Sequence, residues 1–298
     1  MWQRHRGATF PPSHLISLVT RFSPIVALIA MSAAWTAAPA LTGAGPDLRP
    51  LLQLSQAPLH RWRDTNGLPQ WGPQNEVMSH NWAGYALNVG PYTSVQGGWT
   101  VPAVTYQSYS GSPGVEVTST WIGIGGQEND DTLIQIGTQE MAAPSGETAY
   151  FAWYEMLPAT ETAINPKQFP VAAGDTIDAI IQCTASCAAK TKSTWVLTLT
   201  NSKWPKPFTI TLQYASSLAS AEWIVEGPCV NNCNSSNPGF AYLPNYGTTT
   251  FTAITVNDAI PMLARSPNGI IMKDPNGNAT STPSNPIGGN SFTVNFAI

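Results

Sequence analysis

Residues 221–226 read Ala-Glu-Trp-Ile-Val-Glu, and this strand-like stretch is the most informative feature of the sequence. Its side chains alternate with the period of a β-strand, so Glu222, Ile224 and Glu226 share one face while Trp223 faces the other way. An unpaired carboxylate on a covered sheet face costs several kcal/mol. We therefore predict that this strand either lines a wet cleft or takes part in chemistry.

Strand signals of the same kind recur through the region from residue 79 onward, whereas helix signals are nearly absent. Apolar and polar residues alternate at period two, and Gly, Pro and Asn turns separate the alternating runs. Many short strands with such turns predict an all-β sandwich or a closed barrel. The further predicted strands are residues 118–124, 132–138, 150–157, 195–200, 208–214 and 292–298.

The N-terminus has the order of a secretory signal. Three arginines precede an apolar run over residues 24–35, and an A-x-A sequence follows at residues 38–40. The apolar run is only about half of the ~20 residues that a membrane-spanning helix needs. We predict a signal peptide over residues 1–40 and a secreted, extracellular protein, with a retained anchor as the alternative.

Residues 41–78 contain five prolines and no clear periodicity, which predicts a pro-segment or linker. Residues 79–298 then form the folded domain, with 7 Lys and Arg against 14 Asp and Glu. This acidic balance argues against a nucleic-acid partner. Because basic residues precede an acidic domain, we predict that Arg61 and Arg63 of the pro-segment occupy the domain's cleft near neutral pH.

Charged residues make up only 10% of the chain. A surface of neutral polar side chains keeps its hydrogen bonds when carboxylates become protonated, whereas a surface stabilised by ion pairs loses them. The composition therefore indicates a protein that works at low pH. Ordinary extracellular composition is the alternative interpretation.

Four cysteines occur as two close pairs, Cys183 with Cys187 and Cys229 with Cys233. An even number in an exported protein indicates disulfides, and we predict local pairing within each pair. Each small loop closed in this way is worth about 2 kcal/mol in the chain-entropy model. A four-cysteine zinc site has allowed spacing, but acid protonates the thiolates that zinc needs.

The chain has no histidine after His80. Ser-His-Asp and Cys-His catalysis need an imidazole to carry the proton, and catalytic zinc usually needs at least one histidine ligand. The Asp-Thr-Gly or Asp-Ser-Gly turns typical of an aspartic dyad are also missing. Carboxylate acid–base chemistry helped by an amide remains, and it requires neither a metal nor a cofactor.

Six short sequence blocks occur in order along the chain. They are Asn81-Trp82-Ala83-Gly84-Tyr85, Gly98-Trp99-Thr100-Val101-Pro102, Thr120-Trp121-Ile122-Gly123-Ile124, Leu133-Ile134-Gln135-Ile136-Gly137, Ala152-Trp153-Tyr154-Glu155 and residues 221–226. Together, in this order, they resemble the glutamic peptidases, or eqolisins. The resemblance implies a jelly-roll type sandwich of two antiparallel sheets. It also implies an acid-active endopeptidase that is made as a precursor and acts on polypeptides. We expect a monomer with no membrane association once the signal is removed.

Carried over position by position, the resemblance places the family's catalytic glutamine on Gln135 and its catalytic glutamate on Glu226. Its cleft residues fall on Trp82, Trp121 and Glu155. An ionised Glu226 would take a proton from the attacking water. The Gln135 amide would donate a hydrogen bond to the developing oxyanion.

The chain departs from the family pattern at two positions, where Gly125 and Gln139 replace acids of the network around the dyad. One of four nearby acids is a candidate to compensate: Glu128, Asp130, Asp131 or Glu140.

Two alternative functions stay open at this point. A glycoside hydrolase would pair Glu226 with Glu155 or Glu222, because that chemistry needs two carboxyl groups. A carbohydrate-binding sandwich would instead stack exposed tryptophans on sugar rings. Gln135 separates these alternatives from a peptidase, since a glycosidase needs two acids and a lectin needs neither.

Overall fold

The strands predicted from the alternation are present in the computed structural model, which describes residues 54–55, 57, 59, 69–109, 114–127, 129–230 and 239–297. The first nine strands are β1 (Leu54–Ser55), β2 (Val77–Ser79), β3 (Trp82–Leu87), β4 (Ser94–Thr100), β5 (Glu116–Gly125), β6 (Leu133–Ala142), β7 (Thr148–Met156), β8 (Thr162–Ala163) and β9 (Thr176–Ala185). The remaining elements are β10 (Ser193–Asn201), β11 (Trp204–Tyr214), β12 (Ala221–Glu226), β13 (Cys229–Val230), β14 (Thr248–Val256), the helical turn α1 (Arg265–Asn268), β15 (Gly269–Lys273), β16 (Ala279–Pro283) and β17 (Phe292–Phe296).

Fifteen of these strands form one hydrogen-bonded sheet in the order β11-β10-β9-β4-β14-β17-β16-β15-β3-β12-β5-β6-β7-β8, with β2 joined to β15. The β2–β15 pair is parallel, and the other strand pairs of the described residues are antiparallel. Strand β1 pairs separately with β13. The prediction of an all-β, largely antiparallel fold is confirmed.

Buried and partly exposed side chains alternate within the strands as the sequence pattern predicted. In β10, Trp195, Leu197 and Leu199 are fully buried, whereas the residues between them are partly exposed. The last strand, β17, ends at Phe296, and the predicted continuation to residue 298 lies outside the described residues. Period-two burial is clear where only one face of a strand covers the core, as in β10, whereas β5, β6 and β12 are buried on both faces.

The larger of two apolar clusters combines side chains of β4 and β9 with side chains of β12, β5 and β6, and two tryptophans connect β4 to β6 and β12. The indole Nε1 of Trp99 on β4 donates to the Thr138 hydroxyl on β6 at 2.9 Å. From the opposite direction, Trp223 on β12 donates to the Gln96 carbonyl on β4 at 2.8 Å. The part of the sheet that contains β4 therefore packs on one face of β12, β5 and β6. The site described below lies on the opposite face of these strands.

The predicted boundary between residues 78 and 79 falls inside strand β2. Just before this strand, Glu76 is buried, and its carboxylate accepts a hydrogen bond from Arg265 Nε at 2.6 Å. Burial opposes ionisation of Glu76, but backbone hydrogen bonds and the Arg265 guanidinium hold its pKa below the usual glutamate value. Residues 76–78 therefore pack against the folded domain. The predicted cleft contact of Arg61 and Arg63 lies outside the described residues.

Cys183 and Cys187 form the predicted local disulfide. These two cysteines therefore cannot supply thiolates to the alternative zinc site. Cys229 is also disulfide-bonded, and Cys233 lies outside the described residues. Within the described ranges, no group of three or more His, Cys, Asp or Glu side chains is arranged to hold a metal ion. No helix in the same part of the chain is long and apolar enough to cross a membrane.

Candidate active site

The five neighbouring strands β3, β12, β5, β6 and β7 present one common face that bears all the predicted site residues. The register places Glu222, Gly123, Gln135 and Glu155 side by side on the neighbouring strands β12, β5, β6 and β7, which forms one row of side chains. The next row on the same face, two residues along each strand, contains Trp121 of β5. We call this surface the site face and define it by the side chains of Trp82, Trp121, Gln135, Glu155, Glu222 and Glu226.

Glu226 is fully buried on the site face, and three donors hold its carboxylate. Its Oε2 accepts a hydrogen bond from Trp121 Nε1 at 2.9 Å. Its Oε1 accepts from Asn81 Nδ2 at 3.2 Å and from the backbone N–H of Ala57 at 3.0 Å. The carboxylate is thus fixed in orientation, although it is closed off from solvent.

The pKa of Glu226 is raised well above the usual glutamate value, mainly because burial removes the water that would solvate its charge. The negative charge of Glu155 raises this pKa further, whereas the donors on Ala57, Trp121 and Asn81 lower it. Glu155 and Glu226 are therefore electrostatically coupled across the site face. An environment of this kind is typical of catalytic carboxyl groups, although structural acids also show it.

Gln135 and Glu155 form a second pair on the site face. Gln135 Nε2 donates to Glu155 Oε2 at 2.8 Å, as expected from their direct opposition in the β6–β7 register. A primary amide nitrogen carries two hydrogens, so one N–H of Gln135 remains for another acceptor. The pair therefore provides a fixed donor within electrostatic range of Glu226.

Trp82 and Trp121 contact each other edge to face, with ring centroids 5.0 Å apart and an interplanar angle of 78°. Both are fully buried, so they are not open walls of an empty cleft. The Trp121 ring extends over Gly123, where an added Cβ would lie 2.8 Å from its Cζ3 atom. Gly123 therefore gives this ring space between the strands that carry Glu226 and Gln135.

Glu222 shares the site face with Glu226, as the alternation predicted. It is fully buried, and neither of its carboxylate oxygens has a hydrogen-bond partner among the residues that the structure describes. Burial raises its pKa well above the usual glutamate value. Glu222 is therefore a neutral acid over the acidic range, four residues away from Glu226 along β12 and without the donors that hold Glu226.

The local backbone explains why glycine stands at residue 125, the first departure from the family pattern. Its φ is +97°, and a Cβ at this position would lie 2.2 Å from the Thr132 carbonyl oxygen. No side chain fits beside a backbone atom at that distance, and a positive φ disfavours every residue except glycine. An acid at residue 125 is thus incompatible with the local backbone of this chain.

We expect Gly125→Ala to destabilise the protein more than Gly146→Ala. Gly146 has a similar φ of +86°, but nothing lies within 4 Å of its added Cβ. Both changes carry the positive-φ cost of about 1–3 kcal/mol, and only Gly125→Ala adds an overpacking cost of about 1–3 kcal/mol. Urea unfolding of both variants measures the difference, and equal free energies of unfolding would contradict the proposed clash.

Gln139, the second departure, lies on the site face, but Glu140 cannot replace the missing acid beside it. Gln139 is fully buried, and its amide has no hydrogen-bond partner among the described side chains and backbone. Glu140 points the other way, into the core, where it accepts a hydrogen bond from Thr138 at 2.8 Å. The option that Glu140 compensates is therefore wrong, because adjacent residues of a strand face opposite sides.

Of the other three candidate acids, two lie in the loop before β6 and one lies outside the described residues. Asp130 accepts hydrogen bonds from the Thr132 backbone and side chain and from Ser217, so it stabilises the loop before β6. Asp131 is exposed at the surface. Glu128 lies outside the described residues.

Asn81 is a site residue to which the sequence analysis gave no role. Its Nδ2 donates to Glu226, and its Oδ1 accepts from the Ser79 hydroxyl at 3.0 Å, which fixes the amide orientation. Ser79 Oγ also accepts from the backbone N–H of Trp82 at 3.0 Å. The available signal was the position of Asn81 directly before Trp82 in the first of the six sequence blocks.

Comparisons with known proteins identify the family of this chain. The Peptidase A4 family model matches residues 80–296. Aspergillopepsin-2 of Aspergillus niger is 26% identical over 246 residues, which cover 76% of this chain and 80% of that protein. A crystal structure of scytalido-glutamic peptidase with a peptide-based transition state analog has a TM-score of 0.55 at 21% identity, covering 73% of this chain and 98% of that one. SCP-B, of the eqolisin family, has a TM-score of 0.53 at 19% identity, with the same coverage. The chain belongs to the Peptidase A4 family of glutamic peptidases and is a peptide hydrolase.

Proposed function

We propose that this protein is a secreted, acid-active endopeptidase that hydrolyses polypeptides with Gln135, Glu226 and an activated water. The observation that supports this proposal is the site face, which combines an oriented carboxylate with an amide donor in electrostatic range of it. In this proposal residues 1–40 are the signal peptide and residues 41–78 the pro-segment. Residues 79–298 form a two-sheet sandwich that acts as a monomer.

Glu226 is the proposed general base. Ionised, it takes a proton from a water as that water attacks the peptide carbonyl carbon, and it then gives the proton to the leaving amine. Burial in the closed site raises its pKa, and admission of water and substrate reduces that desolvation. Its pKa then moves towards the ordinary glutamate value of about 4.3, which matches an acidic working pH.

Gln135 is the proposed oxyanion donor. One Nε2 hydrogen is engaged by Glu155, and the other is aimed at the oxygen that becomes negative when water adds to the carbonyl. An amide does not titrate in the acidic range, so this donor is present at every working pH. Glu155 acts as a positioning residue that holds the amide, while Trp82 and Trp121 contact the substrate backbone.

Gln135→Ala is expected to lower kcat by about 10²–10³-fold, since removing one oxyanion donor typically has this effect. KM should change much less, because the donor acts mainly on the charge that develops in the transition state. Steady-state hydrolysis of a peptide substrate at acidic pH gives both constants. A large rise in KM with kcat unchanged would assign Gln135 to substrate binding instead.

Digestion of casein at acidic pH, with an aspartic-peptidase inhibitor present, tests the proposed function as a whole. We expect internal cleavage of casein, identified by mass spectrometry of the fragments. Release of sugars from polysaccharides without any proteolysis would overturn the proposal in favour of a glycoside hydrolase.

A further inference from the structure

Tyr214, the last residue of strand β11, joins strands β6 and β7 at the end of the ladder that carries Gln135 and Glu155. The backbone N–H of Leu133 on β6 donates to the Tyr214 hydroxyl oxygen at 2.8 Å. The same hydroxyl donates its own proton to the carbonyl oxygen of Leu157, which directly follows β7, at 2.8 Å. A hydroxyl can both donate and accept, and Tyr214 uses both capacities on the backbones of the two strands that carry the site pair.

This hydroxyl stands where a ladder hydrogen bond would otherwise run. In an antiparallel sheet, the two residues of a hydrogen-bonded pair exchange two N–H···O bonds. Leu133 and Leu157 make one of these bonds directly, since the Leu157 N–H donates to the Leu133 carbonyl at 2.9 Å. The return bond runs through the Tyr214 hydroxyl, which holds the two backbones further apart on that side than a direct bond of about 2.9 Å would. Tyr214 therefore sets how far β6 and β7 open at this end.

The opened end of the ladder adjoins the Gln135–Glu155 pair. Gln135 lies two residues after Leu133, and Glu155 lies two residues before Leu157, so they form the next pair of the same kind in the register. Gln135 Nε2 donates to Glu155 Oε2 at 2.8 Å across this pair. A change in the opening of the strands beside this pair therefore moves the amide that the proposed mechanism uses.

Tyr214 is itself fixed by hydrogen bonds around it. Its carbonyl oxygen accepts from Nε1 of the fully buried Trp195 at 3.2 Å. Three residues later, the backbone N–H of Ser217 donates to Oγ1 of Thr132 at 3.0 Å, immediately before Leu133. The end of β11 and the segment after it thus hold the start of β6 at two successive residues.

Strands β11 and β7 lie near opposite ends of the strand order, so Tyr214 connects parts of the sheet that are not neighbours in it. Phe208 of β11 also stacks on Tyr154 of β7, with ring centroids 6.0 Å apart and an interplanar angle of 22°. The position of the Tyr214 hydroxyl therefore depends on the packing of β11 on β7 as well as on its own hydrogen bonds.

The hydroxyl bridge persists throughout the acidic range. Burial raises the pKa of Tyr214 above the usual tyrosine value, the hydrogen bond from Leu133 N–H lowers it, and the charges of Asp130, Asp131 and Glu155 raise it. Tyr214 is therefore neutral and keeps the proton that it donates. The effect of Glu155 on this pKa also means that Tyr214 lies within electrostatic range of the site pair.

We propose that Tyr214 is a positioning residue of the peptidase, whose hydroxyl holds β6 and β7 open at Leu133 and Leu157 and thereby sets the position of the Gln135 amide. This inference rests on the proposed role of Gln135 as the oxyanion donor. Tyr214 contacts the backbone of the two strands, so it acts on the reaction only through the amide that these strands carry. The sequence analysis gave this tyrosine no role.

Tyr214→Phe tests this proposal, because it removes the hydroxyl and keeps the ring. We expect kcat for peptide hydrolysis to fall by about 10–100-fold, since a displacement of about 1 Å in a group that acts on the reaction has an effect of this order. KM should change by less than about 3-fold, because the oxyanion donor acts mainly in the transition state. The same substitution in a Gln135→Ala chain should lower kcat by less than about 2-fold, because the group that Tyr214 positions is absent. Steady-state hydrolysis at acidic pH gives both constants for the four chains.

Tyr246→Phe is the matched control. Tyr246 is buried, and its hydroxyl donates to Ser281 Oγ at 2.7 Å, so the same atom is lost from a different part of the sheet. This variant should keep the kcat of the unmodified chain. A second readout needs no catalysis: in protein labelled with ¹⁵N-glutamine, the side-chain amide resonance of Gln135, assigned by its loss in Gln135→Ala, should shift in Tyr214→Phe and stay in place in Tyr246→Phe.

Tyr214→Phe should fold, because Tyr214 is only partly buried and its ring is retained; near-UV circular dichroism checks this. An unchanged kcat in the folded variant, or a fall by the same factor with and without Gln135, would overturn the proposal. An unmoved Gln135 resonance would do the same. Failure of the proposed function would appear separately, as a Gln135→Ala chain with full kcat or as an absence of casein cleavage by the unmodified chain.

Discussion

Glu226→Gln is expected to lower kcat for peptide hydrolysis by about 10²–10⁴-fold, the usual contribution of general acid–base catalysis. The substitution keeps the size of the side chain, and the new amide oxygen can still accept a hydrogen bond from Trp121 Nε1. The fold should therefore persist while the proton acceptor is lost. Steady-state hydrolysis of a peptide substrate measures the effect, and the melting temperature reports whether the fold is intact.

Glu222→Gln is the matched control for this prediction. It makes the same chemical change on the same strand and the same face, four residues from Glu226. Glu222 lacks the donors that orient Glu226, so the variant should retain most of its activity. If both variants lost activity equally, Glu226 would have no special role and the carboxylate pair of the alternative functions would need to be reconsidered.

The free energy of unfolding is expected to fall as the pH rises from about 4.5 to about 8, and Glu140 carries much of this change. Burial in the core raises the pKa of Glu140 from 4.5 to about 8, partly opposed by the hydrogen bond from Thr138. In this pH interval the folded state binds a proton that the unfolded state has released, so rising pH favours unfolding. The full effect of this one group is about 3–5 kcal/mol.

Glu140→Gln should flatten the pH dependence, because the amide stays neutral at every pH in the interval. Urea unfolding at the two ends of the interval measures the difference in the wild type and in the variant. Glu147→Gln serves as the control, since this side chain is exposed and the chemical change is the same. A wild-type stability that rises towards pH 8 would contradict the assignment of Glu140 as a buried neutral acid.

The expected loss of stability towards neutral pH does not depend on Glu140 alone. Glu222 and Glu226 are also fully buried with raised pKa values, so they contribute to the pH dependence in the same direction as Glu140. Burial disfavours the charged form of each acid in the folded state, whereas the unfolded chain releases the same protons at lower pH. These three acids therefore favour the folded state in acid, which is consistent with the low working pH that we propose.

Alternation in the sequence predicted seven of the strands in the described part of the chain, which are β5, β6, β7, β10, β11, β12 and β17. It put Glu222 and Glu226 on one face of β12, whereas the strand predicted for β6 ended at residue 138 and did not reach Glu140. These assignments need only the period of a β-strand, which is a property of the local backbone. The six blocks in order determined the family for the same reason, since they can be read without knowing which strands are neighbours.

Only the tertiary structure decided which of these residues meet. Glu226 and Trp121 are 105 positions apart, and Ala57 and Glu226 are 169 apart, yet they are hydrogen-bonded to each other. Such contacts depend on the order and register of strands from distant parts of the chain, which local periodicity does not encode. The same register set Asn81 against Glu226, removed the space for a side chain at Gly125 and brought a segment from outside the predicted domain onto the site.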